Sequence, residues 1–334
     1  MQVTVRAGAG IVLLMTEPEP GPPEPGLRPP PPQPPGPVPA GYVPREWLGA
    51  DVALAPARPQ EVEVPSTPPD VPFLNTPWVP PQTKRQGWAW LLFALGGFLV
   101  GQVGALIFGE VAGLAAGKTA SQLTAIATQA VPPEWYVVST LLGLWIGFVG
   151  APWLASRTQG TRHFLRDLGV RFRLVDLAGI GIGIGGQIVV ALMYAPFQHE
   201  IHDFNGPSQR LTGASHGGGF VIIAIATVLL APAAEELFFR GLLLKALVRL
   251  FTPLGAGPGG VRAAGVVLAV ILDGLLFGLA HGEWVQLAGL AVFGMVLAAV
   301  SYRTGRLGMN IVAHATFNMI AILAIAYNGS ALIH

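Results

Sequence analysis

Long uncharged stretches of apolar residues follow one another from Trp88 to near the end of the chain. Several are about 20 residues long, which is the length that a helix needs to cross a hydrocarbon core roughly 30 Å thick. Hydropathy predicts seven spans, at residues 88–109, 135–156, 177–197, 219–249, 264–281, 284–302 and 307–327. The predicted fold class is an all-α, polytopic transmembrane helical bundle, whose fourth span is interrupted at Pro232.

Composition strengthens the membrane interpretation and removes several other classes of function. Apolar residues make up 52% of the 334 residues, charged residues 11%, and the mean hydropathy is +0.56. These values lie outside the range of ordinary water-soluble domains. A net charge of +1 without a basic run predicts no nucleic-acid partner. The absence of cysteine excludes disulfides, thiolate nucleophiles and cysteine metal sites.

The N-terminal region has a different composition. Residues 17–82 hold 23 of the 31 prolines, which prevents regular helix and sheet hydrogen bonding. We therefore predict a disordered tail over residues 1–85, partly in the polyproline II conformation, followed by a transmembrane helical domain over residues 86–334. The tail is interpreted as a solvated spacer, with a ligand for a proline-recognising domain as the alternative.

The distribution of basic residues between the predicted loops indicates orientation. Lys118 and Arg210 fall on one side of the bundle. The other side carries Lys84, Arg85, Arg157, Arg162, Arg166, Arg171, Arg173, Lys245, Arg249, Arg262, Arg303 and Arg306. The positive-inside rule then predicts an integral, multi-pass protein with a cytoplasmic N-terminal tail and an outside C-terminus.

Glycines inside two spans predict close helix contacts. The stretch AGIGIGIGGQIVV at 178–190 formally matches a dinucleotide-binding fingerprint, but it lies inside an apolar span rather than between a strand and a helix. Small residues at four-residue spacing instead let helix backbones approach each other in lipid. We expect this of Gly181 with Gly185 and of Gly97 with Gly101.

Two adjacent carboxylates and an arginine interrupt the fourth span, in APAAEELFFRGLLLKAL. Charged groups at the bilayer centre cost at least roughly 2.5 to 3.5 kcal/mol each on insertion scales. Glu236 and Arg240 are four residues apart on a helix, so they can neutralise each other. Glu235 is rotated about 100° away and is left as a candidate general base. The alternative is that both glutamates are structural partners of Arg240.

Polar residues also interrupt the fifth and seventh spans. Phe277 and His281 share a helix face, and so do His314 and Asn318. Ionisable groups inside spans are commonly functional. Together with Glu235, these residues supply a base, a proton partner and neutral donors, which are the groups that water-driven acyl hydrolysis needs.

The ordered motifs Glu235-Glu236-x-x-x-Arg240, Phe277-x-x-x-His281 and His314-x-x-x-Asn318 resemble those of the CPBP family. This is the family of CAAX proteases and bacteriocin-processing intramembrane endopeptidases, also called Abi proteins. The resemblance covers roughly residues 130 to 328, with the protease core at about 219–328. It implies an all-helical membrane core with a polar cavity in which peptide bonds are hydrolysed.

The resemblance also implies a role for each motif residue. Glu235 and His281 would activate water, and His314 and Asn318 would stabilise the oxyanion. Glu236, Arg240 and Phe277 would support the site. Zinc held by Glu235, His281 and His314 remains an alternative, since three such ligands and an open position suit catalytic zinc. We favour the mechanism without metal or other cofactor, because a metal leaves Asn318 without an evident role.

Three further expectations concern geometry and neighbouring residues. Simple counting along the helices brings Glu235 and His281 to similar depth but leaves His314 shallower. Asp273 is either a packing partner or a cavity residue. The polar cluster His199, Glu200, His202 and Asp203 is interpreted as a solvated loop rather than a metal site.

The sequence thus predicts an intramembrane endopeptidase that acts on a peptide or protein substrate reached through the lipid bilayer. A non-catalytic immunity or scaffold protein of the same fold is the alternative from another class. A transporter is a weaker alternative, because only one broken span is predicted.

Overall fold

The computed structural model describes residues 83–129, 132–197, 218–252 and 260–329. Within these ranges the chain is helical and contains no strand. The proline-rich tail, apart from its last residues, and the polar cluster around His199 lie outside the described residues. The helices are α1 (Lys84–Ala115), α2 (Ala120–Ala127), α3 (Glu134–Gln159), α4 (Phe164–Leu168), α5 (Gly179–Tyr194), α6 (Gly218–Phe251), α7 (Gly260–Ala280), α8 (Leu287–Thr304) and α9 (Gly308–Gly329).

Each of the seven predicted spans corresponds to one long helix, which confirms the all-α membrane fold. Six of the described helical segments are long and apolar enough to cross a membrane, and in one of them, Leu174–Phe197, 3-10 turns extend α5 at both ends. The seventh, α9, is apolar over the shorter stretch Gly308–Ala324. The short helices α2 and α4 connect the spans and were not predicted. They have only eight and five residues.

The first helix begins slightly earlier than predicted. Lys84 and Arg85, which were assigned to the tail, form the first turn of α1. Thr83 caps this turn, because its hydroxyl oxygen accepts a hydrogen bond from the Gln86 backbone N–H at 3.2 Å. The Gln86 side chain accepts one in return from the Thr83 N–H at 3.1 Å. This reciprocal capping box satisfies N–H groups that the first helical turn leaves free.

Helix α6 passes through Pro232 without the predicted interruption. Its regular α-helical turns are separated by two π-helical segments, Ala226–Leu230 and Leu237–Leu243. Proline lacks an N–H and its ring collides with the carbonyl four residues earlier in an α-helix. Here that earlier residue, Val228, lies in the first π segment, whose wider turn bonds five residues apart. The helix therefore continues and places Glu235 and Glu236 between the two π segments.

Close packing through glycine occurs at one predicted pair and not at the other. A Cβ at Gly101 would lie 2.8 Å from the Leu144 carbonyl oxygen, and one at Gly97 would overlap Ala151. These contacts confirm close approach of α1 and α3. The prediction for Gly181 and Gly185 is wrong, since a Cβ at either position meets nothing within 4 Å. These two glycines lie on the face of α5 that is turned away from α9.

The packed glycines of α5 are Gly179 and Gly183, which face α9, and Gly186, where a Cβ would lie 2.7 Å from the Phe293 ring of α8. A Cβ at Gly183 would overlap the Ala313 carbonyl oxygen and lie 2.7 Å from the Thr316 Cβ. One at Gly179 would lie 2.8 Å from the Ala313 N. The four-residue spacing was predicted correctly, but its phase on the helix was not.

The basic turns lie together at one end of the bundle, as their predicted common side requires. Gln86 in α1 donates to the Gln159 carbonyl at the end of α3, at 3.1 Å. The Lys245 ammonium in α6 donates to the Asp167 carbonyl in α4, at 2.6 Å. These contacts define what we call the basic end. Its assignment to the cytoplasm stays a prediction.

Candidate active site

Glu236 lies at the centre of a buried polar cluster and is fully bonded. Its Oε1 accepts hydrogen bonds from Arg240 Nη1 at 2.9 Å and from His314 Nδ1 at 3.0 Å. Its Oε2 accepts one from Asn310 Nδ2 at 3.1 Å. The side chain has no exposed surface. A buried carboxylate is tolerated when it is paired and hydrogen-bonded in this way.

Arg240 is equally buried and contacts three helices. Besides Glu236, its Nη2 donates to the Gly294 carbonyl in α8 at 2.9 Å. Its Nε lies 3.4 Å from Asp273 Oδ2 in α7. The guanidinium carbon lies 4.4 Å from the centre of the Phe277 ring, which adds a cation–π contact. The predicted pair of Glu236 and Arg240 is therefore present and is part of a larger network.

Phe277 fills the space between the charged residues and the histidines. Its side chain is fully buried. Its ring makes edge contacts with His281 and His314, at centroid distances of 4.8 and 5.5 Å. The ring thus limits the rotation of both imidazoles and excludes water from the Arg240 side of the cluster.

Hydrogen-bond partners determine which nitrogen of each histidine faces Glu235. His281 Nδ1 lies 2.8 Å from the Phe277 carbonyl oxygen, which can only accept. His314 Nδ1 faces the Glu236 carboxylate, which also accepts. Both Nδ1 atoms therefore carry a proton, and a ring with that single proton presents the lone pair of its Nε2.

These two Nε2 atoms converge on the carboxylate of Glu235. Its Oε2 lies 3.7 Å from His314 Nε2 and 3.9 Å from His281 Nε2. These distances exceed a direct hydrogen bond. In the described ranges this buried oxygen has no hydrogen-bond partner. Glu235 Oε2 and the two Nε2 lone pairs are thus three neighbouring acceptors, and a water molecule can bridge two of them by donating its two hydrogens.

Exposure separates the two glutamates. The side chain of Glu235 is 16% exposed and that of His281 is 30% exposed, whereas His314 is 3% exposed. The cluster is therefore reached from the side of Glu235 and His281. Glu236 and Arg240 lie behind them.

Asn318 lies one helical turn beyond His314 and has a different partner. Its Nδ2 donates to the Thr227 carbonyl in the first π segment of α6, at 2.9 Å. A side-chain amide has two N–H donors, and this bond uses one. The hydrogen bond fixes the amide against the helix that carries Glu235.

Two residues of the network were not assigned to the site from the sequence. Asn310 is fully buried and bonds both Glu236 and the Leu297 carbonyl, the latter at 2.7 Å. Asp273 is fully buried beside Arg240. The available signal was spacing, because Asn310 precedes His314 by four residues and Asp273 precedes Phe277 by four. Each continues the polar face of its helix by one turn.

The expected depth offset of His314 is absent, since its imidazole contacts both glutamates. The expected offset came from counting residues along each helix, which assumes that all helices begin at the same depth in the membrane. The start of α9 is covered by the segment after α4, because the Leu307 N–H donates to the Gly169 carbonyl at 2.8 Å. Arg306 Nη2 also donates to Asp176 Oδ1 at 2.7 Å. The start of helix α9 is therefore covered by the segment between α4 and α5.

The side chains of Glu235, His281 and His314 are of types that bind zinc, but their arrangement is not that of a metal site. Two imidazole lone pairs and a carboxylate are ordinary zinc ligands. Among the described residues, however, no group of three or more His, Asp or Glu side chains is arranged to hold a metal ion. The mechanism without a metal stays a prediction.

The fold and the cluster define an all-helical membrane protein with a charged, partly accessible site between apolar helices. A family model described as type II CAAX prenyl endopeptidase Rce1-like matches residues 217–320, which include every residue of the site. This match confirms the resemblance to the CPBP family of CAAX proteases. Comparisons with curated proteins and with solved structures gave no match.

Proposed function

We propose that the protein is an intramembrane endopeptidase that hydrolyses a peptide bond in a membrane-associated or lipidated substrate. The observation that carries this proposal is the convergence of His281 Nε2 and His314 Nε2 on the unbonded Oε2 of Glu235. The family match, which is to a protease family, supports the same reaction.

The proposed reaction begins with water held between Glu235 and His281. Glu235 accepts a proton from the water, whose oxygen attacks the peptide carbonyl carbon. The C–O bond forms, and the carbonyl oxygen becomes an oxyanion. The C–N bond then breaks, and the proton passes from Glu235 to the leaving amine. A positioned base of this kind contributes typically 10²–10⁴-fold to rate.

His314 and Asn318 are the proposed donors to the oxyanion. The second N–H of the Asn318 amide can donate while the first remains bonded to Thr227. His314 can donate from Nε2 only when its imidazole carries two protons, because its Nδ1–H is directed to Glu236. A donor in this position typically contributes 10²–10³-fold to kcat.

The substrate is proposed to reach the site laterally, from the bilayer. The helices around the site are apolar and membrane-spanning in length, so a peptide held by a lipid anchor or a membrane segment would be presented at the correct depth. We place the N-terminal tail in the cytoplasm and the C-terminus outside, on the charge distribution alone.

The test is cleavage of a panel of quenched, lipidated peptides by the purified protein in nanodiscs. The wild type is compared with Glu235→Gln and with a chelator-treated sample. We expect wild-type cleavage that survives the chelator and falls by about 10²–10⁴-fold in Glu235→Gln. Loss with chelator and recovery with added zinc would instead support the metal mechanism.

A folded wild-type protein that cleaves no member of the panel would contradict the proposal and favour the scaffold alternative. His281→Gln sharpens the result, because it removes the more exposed imidazole without disturbing Glu236. We expect this variant to reduce kcat and to remain folded.

A further inference from the structure

Asp273 is the one charged residue of the cluster that the proposed reaction leaves without a role. It is fully buried in α7, and its Oδ2 lies 3.4 Å from Arg240 Nε. Within the described ranges neither of its carboxyl oxygens has a hydrogen-bond partner, and Arg240 Nε has none either. Its only charged neighbour at this distance among the described residues is Arg240, which already pairs with Glu236.

The contacts form a continuous path from Asp273 to the reacting groups. Arg240 lies between the two buried carboxylates, with Nε towards Asp273 and Nη1 bonded to Glu236. Glu236 in turn accepts the Nδ1–H of His314. That hydrogen bond directs the lone pair of His314 Nε2 towards Glu235. A change at Asp273 therefore reaches Glu235 only through Arg240, Glu236 and His314.

The direction of the Arg240 side chain depends on this second carboxylate. A guanidinium has donors on both sides of its planar fork. One side of Arg240 faces Glu236 and Gly294, and Nε faces Asp273. Without Asp273, that side would be buried against apolar atoms, which costs free energy unless the side chain moves. A displaced guanidinium would no longer hold Glu236 in its present place.

We propose that Asp273 is a positioning residue: through Arg240 and Glu236 it holds the His314 ring in the orientation in which Nδ1 donates to Glu236 and Nε2 faces Glu235. This inference rests on the proposed function for its kinetic consequence, but its structural consequence is independent of activity. Asp273 touches neither the substrate nor the reacting water. It lies four residues before Phe277 on α7 and eight before His281 in the turn that follows, so this segment contributes both a positioning group and a reacting group.

The first test is kinetic. Asp273→Asn keeps the size of the side chain and removes its charge. We expect kcat to fall by about 10- to 100-fold, the size of effect known for partners that orient a metal-bound histidine. KM should stay unchanged, because Asp273 lies away from the substrate. The matched control is Asp176→Asn, since Asp176 is also buried and paired with an arginine, but at the basic end. It should keep the wild-type kcat.

The second test does not need a substrate. The imidazole ¹⁵N signals of His314 distinguish the Nδ1–H tautomer from the Nε2–H tautomer, and a His314→Asn sample assigns them among the seven histidines. We expect a single Nδ1–H form in the wild type and a mixture of tautomers in Asp273→Asn. Glu236→Gln should give a similar mixture, because it acts on the same path.

The outcomes separate this inference from the proposed function. Asp273→Asn with wild-type kcat and wild-type ¹⁵N signals would overturn the positioning role while leaving proteolysis intact. A wild type that cleaves nothing would overturn the proteolysis, and the ¹⁵N signals would still decide the positioning role. Should Asp273→Asn fail to fold, Asp273→Glu retains the charge and displaces the carboxylate. The same loss of kcat and mixture of tautomers are expected there, and their absence would equally contradict the proposal.

Discussion

Two carboxylates from different parts of the protein differ in how completely they are hydrogen-bonded. At the basic end, Asp167 accepts hydrogen bonds from the Ser156 hydroxyl at 2.6 Å, from the Thr161 N–H at 2.9 Å and from the Thr161 hydroxyl. In the site, Glu235 Oε2 has no hydrogen bond within the described residues and faces two imidazole lone pairs. Asp167 is fully buried, whereas Glu235 is partly exposed.

The difference indicates which carboxylate is structural and which is reactive. The donors to Asp167 come from residues within eleven positions of it in the chain, so they fix a local turn. Glu235 meets groups from two distant helices that cannot satisfy it. Glu236 resembles Asp167 in this respect, since it accepts three hydrogen bonds and both of its oxygens are bonded. Of the two adjacent glutamates, Glu236 is therefore interpreted as structural and Glu235 as reactive.

The largest expected effect on stability comes from removing Arg240, which pairs with the buried carboxylate of Glu236. Arg240→Leu leaves Glu236 and Asp273 buried without their cation, and breaking a buried pair in this way costs about 3–5 kcal/mol. Unfolding in mixed micelles with increasing denaturant measures the change. The control is Arg303→Gln, because Arg303 is exposed in α8. Equal stability of the two variants would contradict the structural role assigned to the Arg240 network.

A smaller effect is expected at the basic end. Asp167→Asn replaces a charged acceptor of several hydrogen bonds by a neutral amide, which costs about 1.5–3 kcal/mol. The free energy of unfolding should fall by this amount, while the cleavage rate per folded molecule stays at the wild-type value. A selective loss of kcat without loss of stability would show that this carboxylate is not purely structural.

The smallest effect tests the corrected phase of the glycines in α5. Gly183→Ala forces a methyl group against Ala313 and Thr316 of α9, which typically costs about 1–3 kcal/mol. Gly181→Ala enters open space on the same helix. It should be neutral or stabilising by up to about 1 kcal/mol, because alanine favours a helix over glycine. Reversed results would restore the phase predicted from the sequence.

The sequence was informative about elements and about local pairs. Uncharged length predicted the seven long helices, because lipid leaves the backbone no alternative to internal hydrogen bonds. The spacing of Glu236 and Arg240 predicted their ion pair, because residues four apart on a helix are neighbours. The three motifs of the site were also recognisable, and the structure brings Glu235, His281 and His314 together.

The errors concern properties that depend on neighbouring helices. Pro232 predicted a break, but a π segment absorbs the proline, and nothing in the local sequence specifies that segment. The packed face of α5 is decided by α9, so the glycine spacing alone could not give its phase. Asp273 and Asn310 are isolated polar residues in apolar helices. Their partners Arg240 and Glu236 become neighbours only after α6, α7 and α9 have packed together.

The central claim is that Glu235 is the reactive carboxylate and Glu236 the structural one. The most direct measurement is the free energy of unfolding of Glu235→Gln and Glu236→Gln, with the cleavage rate of each folded protein measured beside it. We predict that Glu235→Gln changes stability by less than about 0.5 kcal/mol, as for a side chain without a hydrogen-bond partner in the described residues, yet lowers the cleavage rate by about 10²–10⁴-fold. Glu236→Gln should lose about 3 kcal/mol or more. Similar destabilisation by both variants, or full cleavage by Glu235→Gln, would contradict the account.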